Sequence, residues 1–97
     1  MENNITDSQK EKIQKFLLEI IQKVESATFL EMEESAEMYV NSLKTEVNSN
    51  IEKFKKILGK SRLLESDLRA FAATGLESGV ASDIIVDIFN ENNLILK

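Results

Sequence analysis

The sequence predicts an all-α fold, a small bundle of about four helices built around one long central amphipathic helix, in a chain expected to be oligomeric. Apolar residues recur three and four positions apart along nearly the whole chain, the spacing of one helical face. Proline is absent and glycine occurs three times, so the turn chemistry of β-rich chains is missing. Residues that cap helices stand where the periodic segments begin and end.

The first helix begins at Thr6. Thr6-Asp7-Ser8-Gln9 has the form of a capping box, and Asp7 lies where the positive helix end favours an anion. The helix runs to about Glu25, with Ile13, Phe16, Leu17, Ile20, Ile21 and Val24 on one stripe and Leu18 outside it. Residues 1–5 are expected to form a flexible tail. Ser26-Ala27-Thr28 reads as a turn in which Ser26 or Thr28 caps the next helix.

The second helix carries Phe29, Met32, Ala36, Tyr39, Val40, Leu43, Val47, Ile51, Phe54 and Leu58 on a straight apolar face. Gly59 follows, as expected past a helix C-terminus. Glutamates 31, 33, 34 and 37 cluster near its start and lysines 53, 55 and 56 near its end, matching the helix dipole at both termini. Unbroken over residues 28–58, it would be a rod of about 46 Å, longer than the roughly 30 Å of a small domain. A first helix of that length can mask only part of such a face as an antiparallel hairpin. The competing reading is a break at Asn48-Ser49-Asn50, three poor helix formers, with Ser49-Asn50-Ile51-Glu52 as a second capping box.

The last third reads as two shorter helices over residues 61–74 and 78–90, separated by Gly75-Leu76-Glu77. Leu64, Leu68, Phe71, Ala72 and Leu63 are assigned inward on the first. Val80, Ala81, Ile84, Ile85, Ile88 and Phe89 make a wide apolar arc on the second. Residues 94–97 are a short apolar tail that either packs back or reaches a neighbour. Residues 1–97 are read as a single domain.

Composition narrows the function. Histidine and cysteine are both absent, which removes the usual general base, the thiol nucleophile and the nitrogen and sulfur metal ligands. Gly59, Gly75 and Gly79 fit neither phosphate-loop spacing, so no catalytic residue, cofactor or metal site is assigned. A net charge of −5 opposes phosphate binding, and nucleic acid is not the expected partner. The longest apolar runs fall far below the roughly 18 residues that span a bilayer, so no membrane partner is expected and the location is taken as cytoplasmic.

Two motifs bear on other functions. Glu33-Glu34-Ser35-Ala36-Glu37 resembles the first half of the metal motif of the MazG-like all-α nucleotide pyrophosphatases, and the resemblance implies Mg²⁺-dependent nucleotide hydrolysis. The second Glu-x-x-Asp element of that family has no counterpart. Glu52-Lys53-Phe54-Lys55 and Glu65-Ser66-Asp67-Leu68 both lack the final Asp. The last two helices have the order of a helix-turn-helix regulator, but Ser78, Ser82, Asp83 and Asp87 offer no cation to DNA.

The expectation is therefore a non-enzymatic protein-interaction module of the adaptor, inhibitor or chaperone type. Its partner is a second copy, paired as an antiparallel homodimer, or another helical protein. The interface candidates are Phe29, Met32, Tyr39, Leu43, Val47, Ile51, Phe54 and Leu58. An antiparallel pair sets the glutamates of one chain against the lysines of the other.

Overall fold

The computed structural model describes residues 5–29, 35–73 and 78–96. Five helices follow one another there: α1 (Asp7–Phe29), α2 (Ser35–Ser49), α3 (Ile51–Leu58), α4 (Glu65–Ala72) and α5 (Ser78–Glu91).

The capping box at the start of α1 is formed in both directions. Thr6 Oγ1 accepts from the Gln9 N–H at 3.1 Å, and Gln9 Oε1 accepts from the Thr6 N–H at 2.9 Å. Gln9 Nε2 then donates to the carbonyls of Ile57 and Leu58 at 2.9 and 3.1 Å. One side chain thus closes the start of α1 and occupies carbonyls that α3 leaves open at its end. Gln9→Ala is expected to lower stability by about 1–3 kcal/mol, because two caps are lost at once. A urea midpoint unchanged from the parent chain would show that these bonds contribute nothing net.

Ser26-Ala27-Thr28 does not turn the chain. α1 continues through it to Phe29, since none of the three breaks a helix as proline or glycine would. Phe29 therefore belongs to α1, and Met32 lies outside the described residues.

The expected rod over residues 28–58 is interrupted at Asn50. This residue takes φ −108° and ψ 9°, between the helical and extended regions. Its N–H bonds the Val47 carbonyl at 3.1 Å, a tight closure, and its Nδ2 donates to the Glu46 carbonyl at 2.8 Å. Asn48 likewise turns its Nδ2 onto the Lys44 carbonyl at 2.9 Å. Short amide side chains of this kind compete with the helical ladder, and two of them within three residues end α2. The second capping box is not what makes the break, because α3 starts without a side-chain cap and instead uses the Asn50 carbonyl, which accepts from Lys53 and Phe54 at 3.0 and 3.2 Å.

α1 lies antiparallel to α2 and α3. Lys23 pairs with Glu46 at 3.0 Å, the Phe16 and Phe54 rings stand 4.8 Å apart, and Gln9 meets Ile57 and Leu58. At 1.5 Å per residue, α1 is about 34 Å long and so runs beside α3 and much of α2. α5 covers another side of α2, and Phe89 closes on Phe54 edge to face at 4.9 Å. α4 bridges α1 and α5, with Lys10 and Asp67 3.6 Å apart. The extents of 48 × 22 × 21 Å describe a bundle stretched in one direction, long enough to enclose the apolar face that a 30 Å globule would leave bare.

That enclosure corrects the expected contact surface. Tyr39, Leu43, Val47, Phe54 and Leu58 are at most 3% exposed in one chain and belong to its core, with Ile51 half-buried at its edge. They are unavailable to a partner while the fold is intact.

Gly59 has φ +58° and ψ −119°, a conformation that costs other residues strain, and Ser61 N–H closes the reverse turn onto the Leu58 carbonyl at 2.9 Å. The chain after it is extended, so the helix expected over residues 61–74 shortens to α4. Leu63 N–H donates to the Leu94 carbonyl at 3.0 Å and Leu96 N–H to the Leu63 carbonyl at 2.7 Å, a parallel bridge between Leu63 and Ile95. Leu63 is fully buried, whereas Leu64, assigned inward, is 47% exposed, because neighbours in an extended chain point to opposite sides.

α5 buries Ala81, Ile84, Ile85, Ile88 and Phe89 as expected and Val86 as well, while Val80 is 39% exposed. Asn93, with φ 60°, ends the helix: its N–H bonds the Asn90 carbonyl at 3.1 Å and Leu94 N–H bonds the Phe89 carbonyl at 2.9 Å. This is the Schellman arrangement, with asparagine in the left-handed position. It turns Leu94 and Ile95 back into the core, so the apolar tail packs on its own chain. Among the described residues no helix is long and apolar enough to cross a membrane.

Candidate functional site

The seam where α3 docks on α1 leaves a notch of about 350 Å³ lined by Phe16, Lys53, Lys56 and Ile57. Its floor follows from the two helical registers. Phe16 sits at the margin of the α1 stripe and is half-buried, leaning on the fully buried Phe54. Ile57 follows Lys56 and is also half-buried, one helical position away from the core side of α3.

The rim is cationic. Lys53 Nζ stands 5.5 Å from the centre of the Phe16 ring, within cation–π range. Among the described residues neither Lys53 nor Lys56 has a carboxylate within ion-pair distance, whereas Lys55 is paired with Glu52 at 3.6 Å. The two rim lysines thus carry charge that no described carboxylate takes up in an ion pair.

A second hollow, about 310 Å³, lies between α1 and α2 and is lined by Lys23, Val24, Asn41, Ser42, Thr45 and Glu46. The Lys23–Glu46 ion pair spans it, so its cation and its anion satisfy each other.

The solvent face of α5 is acidic. Asp83, Asp87 and Glu91 recur every four residues beside the exposed Val80, and at 100° per residue the four share one ridge. Arg69 reaches this ridge from α4, bonding Asp83 at 2.8 Å and Glu65 at 2.9 Å. Its pKa is pushed further up by the hydrogen bond to Asp83 and then by that to Glu65, so its charge is held at every working pH. Among the described residues Asp87 and Glu91 meet no cation within ion-pair distance.

No protein-family model matches the chain, and neither a characterised protein nor a solved structure matches it significantly.

The geometry sorts the residues singled out in the sequence. Of the metal-motif glutamates, Glu33 and Glu34 lie outside the described residues and Glu37 is exposed on α2. Among the described residues no three carboxylates come together to hold a metal ion. α4 and α5 are neighbours, but the outer face of α5 presents carboxylates where a DNA-reading helix needs donors. The notch itself was not legible as a site: Lys53 and Lys56 read as complements of the helix dipole and Phe16 as core.

Proposed function

We propose that the chain is a non-enzymatic protein-interaction module that takes an acidic amphipathic helix into the notch between α1 and α3. The observation that carries this reading is the pairing of an open apolar floor, Phe16 and Ile57, with two lysines that have no ion-pair partner among the described residues. An aromatic anchor in a shallow hollow supplies contact energy, and charges at the rim select the partner and speed its approach. The lack of histidine and cysteine supports a role in binding rather than catalysis. The helix-pairing role expected of the central apolar stripe passes in this proposal to a different surface, because the stripe is enclosed. A cytoplasmic setting belongs to the same proposal.

A fluorescent synthetic peptide with leucines three and four apart and glutamates on its flanks provides the test, titrated by anisotropy. Lys53→Glu with Lys56→Glu is expected to weaken binding at least tenfold, about 1.4 kcal/mol, and the loss to shrink as salt rises. A peptide with lysines in place of the glutamates is expected to bind poorly. Equal affinity for the two peptides, or no effect of the double substitution, would remove the proposal.

A further inference from the structure

We propose that the acidic helix seated in the notch is α5 of a second copy, joined head to tail. This rests on the reading of the notch given above and names its occupant. The ridge of Val80, Asp83, Asp87 and Glu91 has the character the notch calls for, an exposed apolar residue in line with carboxylates. Asp87 and Glu91 are four residues apart and Lys53 and Lys56 three apart, so each pair spans about one helical turn, roughly 5–6 Å.

The charges of the ridge are not placed for the benefit of α5. That helix has no acid in its first turn and no base in its last, and Glu91 stands at its negative end, where a carboxylate opposes the dipole. Arg69 engages Asp83 alone among the three, which leaves Asp87 and Glu91 to a partner. The net charge of −5 repels a second copy at long range, but at physiological salt the field is screened over roughly 8 Å while touching pairs are screened less.

The fold also sets the form of the assembly. Phe54 stands between Phe16 of α1 and Phe89 of α5. On α5 the ridge centred on Val80, Asp87 and Glu91 lies half a helical turn from Phe89, so it faces outward as Phe89 faces in. The notch lies on the α1–α3 seam, on the Phe16 side of Phe54, and the ridge on the outer face of α5. The two surfaces are therefore different patches of the chain, and a single contact leaves a free notch at one end and a free ridge at the other. Such a heterologous contact extends rather than closing as a symmetric dimer. One helix in one shallow notch is a small contact, so assembly is expected to be weak and dependent on concentration.

Sedimentation equilibrium at physiological salt on the full chain is the test. The parent chain is expected to exceed the mass of a dimer as its concentration approaches millimolar, and to fall back toward monomer as salt is raised to about 1 M, where screening shortens to about 3 Å and reaches the touching pairs. Lys53→Gln with Lys56→Gln, and separately Asp87→Asn with Glu91→Gln, are each expected to remain monomeric with thermal melts close to the parent's. An equimolar mixture of the two variants retains one sound notch and one sound ridge and is expected to stop at a dimer. A parent chain that stays monomeric at millimolar concentration overturns the self-partner, and so does a mass that saturates at dimer or one the variants leave unchanged. Binding of the acidic peptide by a monomeric parent would leave the module reading standing while this one falls; failure of the peptide to bind would remove both.

Discussion

Val47→Asp is expected to unfold the chain. Val47 has no exposed surface, and its side chain lies in the core among Leu43, Phe54 and the apolar residues of α1 and α5. A carboxylate there finds no hydrogen-bonding cavity, and burying it unpaired costs several kcal/mol. Domains of this size hold only about 5–15 kcal/mol in total, so that single cost consumes most of the margin. Burial raises the pKa of such an acid above its unfolded value, so the penalty is largest above the raised pKa and is relieved as pH falls. Circular dichroism is expected to show lost helix at neutral pH with partial recovery on mild acidification. A melt that matches the parent's at neutral pH would mean that Val47 is not in the core.

Phe54→Ala is the next largest expected loss, about 3–5 kcal/mol from the transfer and cavity terms together. Phe54 is fully buried and meets Phe16 at 4.8 Å and Phe89 at 4.9 Å, so its removal takes away both ring contacts, each worth about 0.5–1.5 kcal/mol beyond area. Urea unfolding is expected to give the lower midpoint directly. Phe54→Leu refills part of the space and is expected to lose less. Phe16 rests on Phe54, so Phe54→Ala is also expected to weaken peptide binding without touching the rim lysines. Full affinity in that variant would separate the floor of the notch from the core beneath it.

The sequence carried most of the helical architecture in local signals. Thr6 and Gln9 announce the start of α1 because a capping box involves only neighbours. The face formed by Leu43, Val47, Phe54 and Leu58 was visible because spacing alone defines it, whereas the break was signalled only by the poor helix formers Asn48-Ser49-Asn50, the competing reading that the structure bears out. One residue in an intermediate conformation leaves the apolar rhythm on either side of Asn50 nearly in phase, so periodicity cannot see it. The inversion of Leu63 and Leu64 has the opposite cause: a stretch of four extended residues is too short to display an alternating pattern.

The site was harder to read. Phe16 and Lys53 are far apart in the chain and meet only because α3 docks on α1. Ile57 was the one available sign, a large apolar residue off the central stripe and next to a lysine. Nothing local states what faces it. That depends on the angle at which the chain resumes after Asn50, which single-chain periodicity does not encode.

Gln9 has a consequence for how firmly the proposed binding surface is held. Eight residues do not sustain a helix by themselves in water, so α3 keeps its shape on loan from its surroundings. The amide of Gln9 fastens its far end and Phe16 grips its middle. Any motion that frays the first turns of α1 also releases the lysine-bearing turn, so the two segments open and close as one cooperative unit and recognition inherits the local stability of that unit.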